Sequence, residues 1–241
     1  MQFSLPKNTS ISIHPIKSFT DNYIWIIKKK KDTVVVDPGD SKPVLDLLQN
    51  ENLNLRAILI THKHADHIGG INNLIQAYPN VKIYGPKYNF NFNYKIVSNN
   101  SLVNIEDLGI AFRVIETPGH TLDHIVFADQ DHLFCGDTLF GCGCGKLFEG
   151  THLQMLNSLK TISTLPSRIK VYCAHEYTKK NIEFALTIER DNKHLISRKL
   201  NLLNEDITLP STLDEELKTN PFLRSKNLDQ FKERRKRKDN F

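Results

Sequence analysis

Short apolar runs separated by polar turn residues open the chain. Residues 11–16, 23–27 and 33–37 are rich in branched and aromatic side chains and are divided by turn-forming stretches, so they predict a meander of three strands. Residues 42–50 instead carry apolar side chains at helical spacing, and the apolar run 56–60 follows as a buried strand. This order predicts a sheet with a helix packed on it.

Strands and helices continue to alternate up to about residue 176. Further strands are predicted at 81–84, 110–116, 125–128, 132–135 and 170–174, and helices at 71–78 and 153–165. The connection 87–100 has no clear period. After residue 176 the pattern changes, and residues 178–204 have helical spacing. The chain is therefore predicted to contain a strand-rich unit over 1–176 and a helical unit over 177–241.

Residues 61–70, THKHADHIGG, lie between the strand at 56–60 and a helix and hold four potential metal ligands within six residues, namely His62, His64, Asp66 and His67. Imidazole nitrogen and carboxylate oxygen suit zinc, iron or manganese, whereas magnesium and calcium prefer oxygen alone. Alternation places His62 and His64 on one side, and the other two follow the turn. Four donors divided in this way indicate two metal ions. A loop of surface histidines is the alternative, which this density of ligands disfavours.

Three more candidate ligands each follow an apolar strand. They are His120, Asp137 and His175. Strands of one sheet would carry all of them to one edge, where rigid elements can support a metal site. Either histidine alone would more often be structural, but together with residues 61–70 they complete a ligand set. We treat the remaining histidines as structural, with His124 a candidate support for the ligands. Cys142 and Cys144 are possible soft ligands that the set does not require.

Composition limits the remaining possibilities. The 241 residues include four cysteines whose spacing matches neither a disulfide framework nor a zinc ribbon, so we expect reduced thiols. There is no apolar run of about 18 residues and no signal-peptide core in residues 1–10. We therefore expect a cytoplasmic protein that does not bind membranes. We also expect a monomer.

The net charge of +5 resides in the tail. Residues 224–241 hold eight of the 32 basic and three of the 27 acidic residues, which leaves 24 of each sign elsewhere. Such a tail could contact the phosphates of a nucleic acid. It lacks the interleaved aromatic residues of a single-strand binding platform, so we expect no nucleic-acid partner.

The segments THKHADHIGG, TPGHT, GDTLF and AHEYT, in that order, resemble the metallo-β-lactamase superfamily. The resemblance implies an α+β fold, a four-layer αββα sandwich with a dinuclear metal site at one edge. It also implies that His62, His64 and His120 bind one metal, that Asp66, His67 and His175 bind the other, and that Asp137 bridges them.

Residues 136–151, 174–185, 220–224 and 234–241 resemble the glyoxalase II (hydroxyacylglutathione hydrolase) family. The resemblance implies a catalytic domain over 1–176 and a small α-helical substrate-binding domain over 177–241. It implies glutathione contacts at Lys146, Phe148, Tyr177, Arg235 and Lys238. The family commonly has an aromatic hydroxyl at position 148, where this chain has phenylalanine.

The reaction implied is hydrolysis of S-(2-hydroxyacyl)glutathione, as in the conversion of lactoylglutathione to D-lactate that completes methylglyoxal detoxification. Two divalent ions, zinc first and iron or manganese as alternatives, would lower the pKa of a shared water to about 7. Asp66 and Asp137 are the expected catalytic residues. Two other activities known for the superfamily remain alternatives: a glutathione persulfide dioxygenase, with one iron and fewer ligands, and a nucleic-acid-processing metallohydrolase.

Overall fold

The protein is represented by a computed structural model that describes residues 5–8 and 10–241. Residues 1–4 and 9, within the stretch predicted to lack a signal-peptide core, lie outside the described part. The first sheet has six strands in chain order: β1 (Ser12–Ser18), β2 (Asn22–Lys29), β3 (Asp32–Val36), β4 (Asn54–Leu59), β5 (Lys82–Gly85) and β6 (Lys95–Ile96). β1 to β3 pair antiparallel. β3, β4 and β5 pair parallel, because helices connect them, and β6 pairs parallel with β5.

The second sheet also has six strands. They are β7 (Leu102–Ile105), β8 (Ile110–Glu116), β9 (Ile125–Ala128), β10 (His132–Gly136), β13 (Lys170–Cys173) and β14 (Ser211–Thr212), in the spatial order β14-β13-β10-β9-β8-β7. β11 (Leu139–Phe140) and β12 (Gly143–Cys144) form a separate hairpin. β14 belongs to the carboxy-terminal third yet pairs with β13, so that region adds a strand to the sandwich.

Eight α-helices lie in the described residues. They are α1 (Lys42–Asn50), α2 (Ala65–Ile68), α3 (Ile71–Ala77), α4 (His152–Ser163), α5 (Thr178–Ile188), α6 (Lys193–Asn201), α7 (Leu213–Thr219) and α8 (Leu228–Asp239). The helical spacing over 178–204 corresponds to two helices, because α5 ends at Ile188 and α6 begins at Lys193. The side chain of Asn192 caps α6 by accepting the N–H groups of His194 and Leu195. No helix of the described residues is long and apolar enough to cross a bilayer.

Side chains of β2 show why the layers stack as they do. Tyr23, Trp25 and Ile27 enter the core between the two sheets, whereas Ile24 and Ile26 face the opposite way. The second group packs with buried residues of α1 and α3, so both faces of the first sheet are covered. The central core continues through the second sheet to α4 and α8. The α+β, four-layer αββα sandwich with a helical carboxy-terminal domain is therefore confirmed.

Candidate active site

Loops that follow the strands of both sheets bring the predicted ligands together. β4 leads into residues 60–64 and α2, while β8, β10 and β13 end just before the loops that carry the other three ligands. Ligand atoms of His62, His64 and His120 lie within 4.8 Å of one another, as do those of Asp66, His67 and His175. These are the two groups that the sequence resemblance implied.

Asp137 lies between the two groups. Its Oδ2 is 3.4 Å from Nε2 of His120, which belongs to the first group. Its Oδ1 is 3.5 Å from Nε2 of His67 and 3.4 Å from Nε2 of His175, which belong to the second. The two oxygens of one carboxylate thus face different ligand groups, which is the arrangement a bridging ligand requires.

Four of the histidines are held through the nitrogen that faces away from the cluster. Nδ1 of His120 bonds to the carbonyl of Lys146 at 2.7 Å, and Nδ1 of His62 lies 3.0 Å from Oγ1 of Thr61. The other two pair with carboxylates, His67 with Asp37 (3.0 Å) and His175 with Asp21 (2.8 Å). Such contacts fix the ring and leave Nε2 free to bind a metal. In His64 the inward nitrogen is Nδ1, which lies 3.1 Å from Nε2 of His62.

Asp37 was not predicted to have a role, although it ends the third predicted strand. It lies near enough to His62 and His67 to form a third possible ligand group. However, its Oδ1 accepts the N–H of Thr61 (2.8 Å), and its Oδ2 accepts the Thr61 hydroxyl (2.6 Å) and contacts His67. Because both oxygens are engaged, Asp37 orients His67 and the β4 loop and is not a ligand.

The turn between β1 and β2 supports the second group, and sequence reasoning missed it as well. Asn22 donates its amide to Oδ2 of Asp66 at 2.9 Å, and Asp21 holds His175. The backbone of the turn is fixed to the same region, since Tyr23 N–H donates to the carbonyl of Ala174 at 2.7 Å. One tight turn therefore positions two ligands from different parts of the chain.

The electrostatics of the cluster favour ionised carboxylates. Burial alone would raise the pKa of Asp66 and Asp137, but His67 and His175 hold the pKa of both carboxyls well below the usual range. Burial likewise would lower the pKa of the two imidazoles. Their carboxylate neighbours instead raise the pKa of His67 well above its ordinary value and that of His175 to about 10. The carboxylates attract positive charge strongly at neutral pH.

The residues fit a divalent cation. Nε2 of His67 and Oδ1 of Asp137 are buried and have no hydrogen-bond partner among the described residues. Leaving such groups unpaired costs about 1–3 kcal/mol each, more when they are charged. A cation that displaces the proton of His67 would satisfy both atoms. The nitrogen and oxygen donors are those of a transition-metal site.

Three predicted substrate contacts lie at the rim of the cluster. The Phe148 ring meets those of His64 and His120 edge-on, at 5.3 and 5.2 Å, and is 61% exposed. The ammonium of Lys146 lies 5.7 Å from the centre of the Phe148 ring. Tyr177 stacks on His175 at 4.8 Å, and burial raises its pKa. An exposed aromatic surface with a cation beside it thus adjoins the ligands.

The two predicted contacts in α8 have different surroundings. Arg235 is buried, donates to the carbonyl of Cys144 at 2.9 Å and pairs with Asp239 at 2.8 Å. It therefore holds β12, which leads directly to Lys146. The ammonium of Lys238 lies 5.3 Å from the ring centre of Phe184, and desolvation together with nearby Arg235 lowers the pKa of Lys238 to about 8.

Comparisons with known proteins agree with this geometry. Residues 19–175 match the model of the metallo-beta-lactamase superfamily, and residues 176–241 match that of the hydroxyacylglutathione hydrolase C-terminus. A hydroxyacylglutathione hydrolase of Vibrio campbellii is 47% identical over 90% of this chain and 88% of its own length. The enzyme of that name from Prochlorococcus marinus is 44% identical over 98% of both chains.

Solved structures support the fold alone. The crystal structure of ETHE1 from Myxococcus xanthus has a TM-score of 0.73 at 24% identity and covers 93% of this chain and 90% of its own. A metallo-beta-lactamase from Staphylococcus aureus has a TM-score of 0.69 at 22% identity over 92% of this chain and 66% of its own. The two family models and the sequence relatives place this chain in the hydroxyacylglutathione hydrolase family of the metallo-beta-lactamase superfamily.

Proposed function

We propose that this chain hydrolyses S-(2-hydroxyacyl)glutathione to glutathione and a 2-hydroxy acid, with lactoylglutathione as a substrate and D-lactate as the product. The proposal rests on the position of Asp137, whose two carboxylate oxygens face the two ligand groups. Water adds its oxygen to the acyl carbon, the carbon–sulfur bond breaks, and the sulfur leaves as thiolate. The reaction needs no oxidant and no protein nucleophile.

The centre would hold two divalent ions, with His62, His64 and His120 around one, Asp66, His67 and His175 around the other, and Asp137 between them. We propose zinc, with iron or manganese as alternatives, because the donors suit all three. When bound, the ions supply an activated water at neutral pH and stabilise the oxyanion that forms on the thioester. Asp66 and Asp137 orient the reacting groups, and Asn22 and Asp21 hold the ligands in place.

Glutathione would lie across the rim. Its two carboxylates suit Lys146 and Lys238, since charge-assisted hydrogen bonds to a carboxylate are the stronger kind. Phe148 and Tyr177 offer aromatic surface next to the ligands, although Phe148 lacks the hydroxyl typical of the family. Arg235 would contribute through Cys144 and the loop that carries Lys146. These substrate contacts remain predictions.

The intramolecular contacts of the basic tail support a small-molecule substrate over a nucleic acid. Arg224 pairs with Glu189 at 2.9 Å, Arg235 pairs with Asp239, and Arg237 donates to the carbonyl of Thr187. Arg234 is buried and donates to the carbonyl of Pro221. These arginines stabilise the helical domain itself. A monomeric state, a cytoplasmic location and the lack of a membrane partner also remain predictions.

A direct assay separates the proposed activity from its alternatives. Purified protein is mixed with lactoylglutathione, and free thiol and D-lactate are measured together. We expect one thiol and one lactate per thioester consumed. Oxygen uptake with glutathione persulfide, in place of thiol release from the thioester, would support a persulfide dioxygenase instead. Cleavage of RNA with no thioester turnover would support a nuclease.

A further inference from the structure

His124 is a fully buried histidine that lies outside the ligand set. It directly precedes β9 and contacts residues that belong to both the ligands and their supports. Its Nε2 accepts the backbone N–H of Asp137 at 3.1 Å. Its ring stacks on that of His62 with centroids 4.7 Å apart and planes 22° apart. His124 therefore contacts both His62, a predicted ligand of the first group, and Asp137, which lies between the two groups.

The hydrogen bonds of His124 define its tautomer. A backbone N–H can only donate, so Nε2 must carry a lone pair and the ring proton must be on Nδ1. Nδ1 lies 3.1 Å from Oγ1 of both Thr117 and Thr138, and the Thr138 hydroxyl donates to Oγ1 of Thr117 at 3.0 Å. The ring is thus held at both nitrogens as a neutral acceptor for Asp137.

The backbone around Asp137 is shaped to allow this contact. Gly136 has φ of +47°, a conformation that side chains with a Cβ rarely adopt. A Cβ at that position would come within 2.9 Å of Nε2 of His124 and 2.3 Å of Oγ1 of Thr61. At the end of β10 the backbone of Gly136 thus passes close to the side chains of Thr61 and His124, and this path sets the direction of the Asp137 side chain.

We propose that His124 is a positioning residue, which as a neutral hydrogen-bond acceptor fixes the backbone of Asp137 and so places its carboxylate between the two ligand groups. The inference rests on the metal centre of the proposed function but not on the identity of the thioester. Contacts that orient ligands typically change metal affinity or activity by about 10- to 100-fold when they are removed. His124 is expected to act on metal retention and kcat and to leave KM unchanged.

The test compares His124→Leu with His124→Gln. Leucine removes the acceptor, whereas the amide of glutamine can accept from Asp137 N–H and donate to Thr138. The matched control is His132→Leu, since His132 begins β10 and bonds through Nδ1 to Asp129 at 2.9 Å, away from the ligands. Each protein is loaded with Co²⁺, its visible spectrum is recorded, and the metal is titrated with a competing chelator.

We expect His124→Leu to lose metal affinity by about 10- to 100-fold, with an altered Co²⁺ spectrum and lower kcat. His124→Gln should recover most of the affinity, and His132→Leu should retain all of it. Wild-type affinity and spectrum in His124→Leu would overturn the proposal, as would equal losses in the leucine and glutamine variants.

If the leucine variant fails to fold, folded His124→Gln decides alone: near-wild-type affinity supports the role and a tenfold loss contradicts it. If the wild-type protein does not hydrolyse glutathione thioesters but His124→Leu still loses metal affinity, the proposed substrate is contradicted and the role of His124 stands.

Discussion

At the scale of single residues, Asp137 is the residue that contacts both ligand groups. We predict that Asp137→Asn, which keeps the shape of the side chain and removes its charge, lowers kcat for lactoylglutathione by at least about 100- to 1000-fold. Metal content should fall as well, because the carboxylate contacts both ligand groups. Metal analysis together with thiol release measures both effects. Full turnover with two metals bound would exclude a bridging role for Asp137.

His194 provides the opposite prediction. It is exposed on α6, and its side chain contacts none of the predicted ligands. His194→Ala should therefore leave kcat, KM and metal content unchanged. A large loss of activity in a folded variant would mean that α6 contributes to the site.

Phe148 allows a gain of function to be tested. Its ring lies against His64 and His120 and is largely exposed, so a hydroxyl at its tip can reach a bound substrate. We predict that Phe148→Tyr lowers KM for the glutathione thioester about fivefold, which corresponds to one hydrogen bond of about 1 kcal/mol. The control Phe148→Leu removes aromatic surface and should raise KM. Unchanged KM in Phe148→Tyr would place the substrate elsewhere on the rim.

The clustering of the seven predicted ligands could be expected from the sequence, because they lie in loops that follow predicted strands and their donor types suit a metal. The supporting contacts of Asp37, Asp21 and Asn22 could not be predicted in this way. Their function depends on which loops meet across the sandwich, and local pattern carries no information about that. The positive φ of Asp37, +51°, marks its position as unusual only once the backbone is known.

At the scale of elements, α8 carries a pH-dependent prediction. Burial lowers the pKa of Lys238 to about 8, so its ammonium form dominates below that pH and is lost as the pH rises through it. If the ammonium binds a glutathione carboxylate, KM should rise above pH 8 while kcat does not follow. Steady-state kinetics from pH 6.5 to about 9.5 measure this change.

Two variants identify the group responsible. Lys238→Arg keeps its charge throughout this range, because the guanidinium pKa exceeds about 12, and should abolish the rise in KM. Lys238→Gln should show high KM at every pH. The same rise in KM in all three proteins would assign the titration to the substrate or to another residue.

A buried ion pair connects α6 with α7, and its removal should lower the stability of the helical domain. Arg198 donates to Oε1 of Glu216 at 2.7 Å and to Thr219, while Oε2 of Glu216 accepts the N–H of Cys142 at 2.8 Å. We predict that Glu216→Leu lowers the free energy of unfolding by about 3–5 kcal/mol, since it removes the buried carboxylate partner of Arg198 and leaves only the more exposed Glu215, 3.4 Å away. Urea unfolding measures the loss. A loss below about 1 kcal/mol, the range of exposed pairs, would contradict burial of the pair.

Element boundaries show where sequence reasoning is strong and where it fails. α1, β8 and β9 begin and end where the apolar pattern predicts, because each buries a continuous face. The spacing over 178–204 did not locate the break between α5 and α6, which falls in the polar residues 189–192, and Asn192 caps the start of α6. β14, two residues long, is defined only by pairing with β13.

At the scale of the whole molecule, the positive charge is concentrated in the carboxy-terminal tail, and the tail's arginines have partners within the protein. The net charge of +5 comes from residues 224–241, whose arginines pair with groups of the same domain. The resemblance to a known family supplied the four-layer architecture, and the long-range pairing of the sheets could not be derived from periodicity alone. The connection 87–100 stays without a function, although β6 lies within it.

If a two-metal centre in this chain hydrolyses a glutathione thioester, activity must depend on both ions. The most direct test removes metal with a chelator, returns zinc in measured equivalents, and follows thiol release from lactoylglutathione at each step. Activity should be lost on removal and return in proportion to metal, reaching a plateau at two equivalents per chain. Full thiol release by the metal-free protein, or a plateau at one equivalent, would exclude a two-metal hydrolase.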